Sequence, residues 1–103
     1  MKNQVTLRLY VTMGTPSSSR AIVNIRRLCE QLTGRCRLDI FNIADHIDRA
    51  TADEVIASPT LVRVSPLPKR RFIGDLSNGG NNILSVLGLQ AAAVTAAGAS
   101  EDT

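Results

Sequence analysis

The stretch IASPTLVRV, residues 56–64, sets a proline directly in front of a run that reads as a buried strand. Proline cannot donate to a strand ladder, so within sheets it is confined to strand entrances, edges and bulges. At such a place Pro59 is a candidate for a cis peptide bond, because the trans preference before proline is only ~0.5–1 kcal/mol. The question this raises is what backbone shape the proline serves, and whether any chemistry sits beside it.

Working outward, TLVRV (60–64) and RRFI (70–73) both read as strands, and the linking SPLPK is too short for a crossover. The pair is therefore an expected antiparallel hairpin. Upstream, VTLRLYVT (5–12) alternates, with Val5, Leu7, Leu9 and Val11 facing one way and Thr6, Arg8, Tyr10 and Thr12 the other. Gly14 and Pro16 break that pattern; Thr15 is an expected cap and Pro16 an expected first helical residue. Ile22, Ile25, Cys29 and Leu32 recur at helical spacing, and Gly34 is the expected residue just past the helix end. CRLDIFNI (36–43) is a second strand with apolar residues on both faces, which predicts an internal position in a covered sheet.

Asp48 is placed to cap a short helix running through Val55 and Ile56. Beyond the turn-rich GDLSNGGNN, residues Ile83, Leu84, Val86, Leu87 and Leu89 predict a last short helix. The small, low-complexity segment 91–103 reads as a tail that frays, leaving one folded domain over 1–90. The order βαβ–α–ββ–α makes the fold class α/β, thioredoxin-like.

Composition bounds the function. A chain of 103 residues with 44% hydrophobic and 20% charged residues is an ordinary globular domain. Twelve Lys+Arg oppose nine Asp+Glu, and a basic body suits an acidic protein surface, an anionic ligand or nucleic acid. Aromatic scarcity (Tyr10, Phe41 and Phe72) argues against single-strand binding, which uses stacking platforms. No apolar run is long enough to span a bilayer, and MKNQVTLRLY lacks the apolar core of a signal peptide, so the expected compartment is the cytoplasm.

A thioredoxin-type oxidoreductase needs a reactive cysteine at the start of its first helix, where the helix N-terminus stabilises a thiolate. Here that place is TPSSSR, without cysteine, so no enzyme activity of that kind is expected. Cys29, on the apolar helix face, and Cys36, opening a strand, read as packing residues. Ser17 to Ser19 are ordinary helix-start residues, although hydroxyls and free N–H groups there could also hold a phosphate or a bound thiol. His46, beside Asp45 and Asp48, reads as a solvated loop histidine; no zinc set and no catalytic triad can be assembled, and no cofactor is expected. Two alternatives stay open: an atypical thiol-transfer or glutathione-binding enzyme using Ser17 to Ser19, and a nucleic-acid-binding module using the arginines.

Two blocks resemble the KaiB family of circadian-clock proteins. LRLYVTMGTPSSSRAI matches its first strand and helix start, and ASPTLVRVSPLPKRRFIGDLS matches its Thr-Pro-Thr-Leu, proline-rich turn, Arg-Arg and Ile-Gly-Asp-Leu-Ser. The resemblance implies a non-enzymatic protein that binds the first ATPase ring of hexameric KaiC, with KaiA as a further partner in complete clocks. It implies two interchangeable folds, one tetrameric and one a monomeric thioredoxin-like form with a cis Ser58–Pro59 bond. It marks Pro59, Gly74 and Asp75 as fold-determining. Positively charged contact residues carry over to Arg8, Arg20, Arg63 and Arg71, and Arg70 stands beside the last of these. Val62, Val64, Pro66 and Pro68 disfavour helix over 60–68, so the thioredoxin-like monomer is the expected state, with the homotetramer as the alternative.

Overall fold

The computed structural model describes residues 4–32 and 34–74. In chain order these form β1 (Val5–Val11), α1 (Pro16–Glu30), β2 (Cys36–Asn42), a 3-10 turn (Ile43–Asp45), α2 (Ile47–Ala52), β3 (Thr60–Ser65) and β4 (Arg70–Ile73). The strands make one sheet in the order β2-β1-β3-β4. β1 runs parallel to β2 and antiparallel to β3, and β3 and β4 form the expected antiparallel hairpin. The expected last helix, the tail and Asp75 lie outside the described residues.

Central β1 has a core on each side. Val5, Leu7, Leu9 and Val11 are fully buried with Ala21, Ile25, Leu28 and Leu32, on the α1 side, and with Leu61 of β3. Tyr10, which alternation assigns to the polar face, is equally buried, packed with Ala50 and Val62 in a second core on the opposite side. The alternation is therefore real, but its second face is covered by α2 rather than by water. Among the described residues β2, with apolar residues on both faces, lies at the edge of the sheet rather than inside it. Leu38 and Ile40 pack on the first core and Phe41 on the second, so apolarity on both faces reports cover above and below, not neighbours on either side.

The start of α1 follows its local chemistry. Thr15 is the N-cap, its side chain accepting from the Ser18 N–H, and Pro16 occupies the first turn. Ser18 is itself buried, and its Oγ accepts from the Thr12 N–H at 3.0 Å, tying the helix start to the end of β1. The helix ends earlier than Gly34 suggests: Gln31 is the C-cap, and Gly34, at φ +73°, turns the chain towards β2. α2 is also shorter than expected, ending at Ala52, and His46 rather than Asp48 occupies its N-cap.

Cys29 and Cys36 are joined as a disulfide, with Cα atoms 5.3 Å apart, which corrects their reading as packing residues. The Arg35 N–H donates to the Leu32 carbonyl at 2.6 Å, and the last turn of α1 comes against the first residue of β2, a proximity that neither residue's helical or strand periodicity reveals. Ser58–Pro59 is cis, as are Ser65–Pro66 and Leu67–Pro68. The Gly74 N–H donates to the Pro59 carbonyl at 2.9 Å, so the residues flanking the β3–β4 pair are held together. Gly74 has φ +110°, which side-chain-bearing residues rarely adopt.

Removing the buried Ser18 hydroxyl is expected to cost about 1 kcal/mol of stability in a Ser18→Ala variant, because the Thr12 N–H loses its acceptor. Ser19→Ala, on the exposed side of the same helix start, should stay within about 0.5 kcal/mol of the parent in urea denaturation.

Candidate functional site

The sheet face covered by α2 carries most of the unusual electrostatics. Asp53, at the C-terminal end of α2, is 2% exposed, and three side chains converge on its carboxylate. Tyr10 Oη donates to Oδ2 at 2.5 Å, Arg8 Nη1 donates to the same oxygen at 2.8 Å, and Lys69 Nζ donates to Oδ1 at 2.6 Å. One anion thus joins α2, the central strand and the turn before β4. Burial alone would push the carboxyl up, but hydrogen bonds from Lys69, Tyr10 and Arg8 together outweigh it and hold it at about 2. Burial and the bond to Asp53 push the Tyr10 phenol the other way, up to about 12. Aromatic packing braces the group, with Tyr10 stacked on Phe41 at 5.4 Å and the Arg49 guanidinium 4.8 Å from the Phe41 ring centre.

The five arginines singled out from the sequence do not form one ridge. Register places Arg8, Val62 and Arg71 side by side on the α2 face. Arg71 is exposed and donates to Glu54 Oε1 at 2.9 Å, while Arg8 is committed to Asp53 with its side chain 27% exposed. Arg63 and Arg70 pair across β3 and β4 on the α1 face. Arg70 is exposed, but Arg63 is 5% exposed, and its Nη2 donates to the Pro68 carbonyl at 2.6 Å. Burial pulls its guanidinium below its usual value. Arg63 therefore differs from the surface contact expected of it: here it braces the proline-rich turn. Arg20 lies exposed on α1. Sequence reasoning missed Asp53 altogether, because an acidic residue in TADEV is indistinguishable from a solvated one until three donors meet it.

The helix start holds no thiol chemistry. Thr15 and Ser18 spend their hydroxyls on backbone groups, and the disulfide sits at the far end of α1. Among the described residues no cluster of His, Cys, Asp or Glu is arranged to hold a metal ion. His46 is exposed and packs edge-on against Phe41 at 5.0 Å. Among the described residues no helix is long and apolar enough to cross a membrane.

A carboxyl held low in the folded state stabilises the protein fully above its unfolded value, and that contribution disappears as pH falls towards 2. The parent should therefore lose roughly 2–3 kcal/mol through Asp53 alone between about pH 5 and pH 2. Asp53→Asn should be less stable by about 3 kcal/mol at neutral pH, since it removes the buried carboxylate on which Arg8, Lys69 and Tyr10 converge. The gap between the two proteins should then shrink as pH falls, which thermal melts across that range would measure.

Comparison with known proteins agrees with this architecture. The KaiB domain family matches residues 8–86. The circadian clock protein KaiB3 of Synechocystis is 38% identical over 77 residues, covering 74% of this chain and 76% of its own. The circadian clock oscillator protein KaiB of Synechococcus elongatus is 40% identical over 73 residues, covering 70% and 72%. Among solved structures, the N-terminal domain of Synechococcus elongatus SasA superposes with TM-score 0.69 at 18% identity, over 95% of this chain and 90% of that one. Chloroplastic thioredoxin z superposes with TM-score 0.70 at 14% identity, over 84% and 78%, so the fold is thioredoxin-like. With a thioredoxin-like sheet, a first helix that begins without a thiol, and identity of this order over most of its length, the chain belongs to the KaiB family of circadian clock proteins.

Proposed function

We propose that this protein is a non-catalytic docking component of a circadian or stress-timing assembly, which binds the first ATPase ring of a KaiC-type hexameric ATPase in the cytoplasm. Membership of the KaiB family carries this reading. The capped helix start supports it: the Thr15 and Ser18 hydroxyls fill the place where a thiol enzyme of this fold keeps its nucleophile. KaiA is a further partner where the host has one.

The exposed cations offer the contact surface. Arg20, Arg70 and Arg71 are exposed, and guanidinium groups there suit carboxylates on a partner, two N–H donors to each. Arg8 and Arg63 act from within, setting the strands that carry the others. The protein works as a monomer in the thioredoxin-like form. The β-branched Val62 and Val64 and the prolines at 66 and 68 favour strand and turn there over helix, which supports that form against a tetrameric alternative.

Native mass spectrometry of the protein alone and mixed with the KaiC-type ATPase of the same genome tests the proposal. A monomer that adds to the hexamer is the expected result. Arg70→Glu combined with Arg71→Glu should weaken that binding roughly tenfold or more, with a reduced salt dependence. A tetramer that never binds the ATPase would overturn it.

A further inference from the structure

Cys29 and Cys36 lie on the wall of an open groove of about 620 Å³, formed between the last turns of α1 and edge strand β2. Both residues are half-buried, so the disulfide borders solvent instead of being sealed in the core. The groove carries both signs of charge: Arg26 and Glu30 come from the helix and Asp39 from the strand. Arg35 and Arg37 flank Cys36 in the chain. Arg37 is turned to Asp39, at 3.4 Å, and a solvent-bordering disulfide is open to exchange.

We propose that Cys29 and Cys36 form a reversible thiol–disulfide site whose reaction partner is a small zwitterionic thiol of the cysteinyl-peptide class, held in this groove. Arg26 suits a carboxylate of the ligand, and Glu30 and Asp39 suit its ammonium group. In the reducing direction the thiolate of one small thiol attacks one protein sulfur. The S–S bond breaks, a mixed disulfide forms, and the other cysteine leaves as a thiolate that takes up a proton. A second small thiolate then attacks the small-thiol sulfur of the mixed disulfide, releasing the oxidised dimer of the small thiol and the second protein thiol. Two electrons pass to the protein, and the reverse sequence reoxidises it. The site lies at the opposite end of α1 from Thr15, and it does not depend on ATPase binding.

The experiment is a redox titration of the full chain in reduced and oxidised glutathione, reading free thiols by alkylation and mass, with the melting temperature followed alongside. The expected result is a single two-electron transition, with reduction lowering the melting temperature by roughly 5–15 °C through loss of a short closed loop. Cys36→Ser should trap a mixed disulfide with glutathione at Cys29. Reduction of the parent by glutathione should be at least several-fold faster than by 2-mercaptoethanol at matched thiolate concentration, an advantage lost in Arg26→Ala combined with Asp39→Ala. A disulfide that persists throughout the glutathione range, or thiols that never reoxidise to the internal pair, would overturn the proposal. Equal rates with both thiols, or reduction only by a protein dithiol such as thioredoxin, would overturn the small-thiol assignment.

Discussion

The structure depends on a buried carboxylate. Asp53 ends α2, but its three partners come from β1 and from the turn between β3 and β4, so a single anion fixes how the helix, the central strand and the hairpin sit against one another. Such a group in an apolar surround is costly unless its lone pairs are met, and here a phenol, a guanidinium and an ammonium meet them. The apolar residues around it, Val62, Ala50 and Phe41, supply burial without direction. The directional constraint comes from the charges.

That constraint explains a division of labour among the cations. A basic protein of this size invites the view that its arginines are all presented outward. Arg8 and Arg63 instead hold internal acceptors, one a carboxylate and the other a backbone carbonyl of a turn crowded with proline. Prolines remove donors from that turn, so its carbonyls need donors from elsewhere. Of the five arginines singled out from the sequence, Arg20 on α1 and Arg70 and Arg71 on β4 are the exposed ones.

The elements were legible because each has a local cause: alternation in β1, the Thr15–Pro16 cap, the paired β-branched run after Pro59. Arg71 and Phe72 fall on opposite faces of β4, as alternation requires. What could not be seen is what depends on two distant segments meeting. Tyr10 looks like a polar-face residue until α2 covers it, β2 looks internal because both its faces are covered, and Cys29 and Cys36 look unrelated until the end of α1 meets the start of β2. Asp53 and Arg63 belong to the same class. Their charge predicts water, and only their tertiary partners bring them inside.

Central β1 precedes both strands it pairs with, β2 after α1 and β3 further on. During synthesis it leaves the ribosome as VTLRLYV with both edges unsatisfied and nothing yet on either face, a short β-prone run of the kind that associates between chains. Arg8 is the charged residue within it. In the nascent chain that charge interrupts the run and discourages stacking with a second copy, as gatekeeper residues do. In the finished domain the same guanidinium turns to Asp53, so the residue that keeps the unpaired strand apart from its neighbours later helps to close the fold over it.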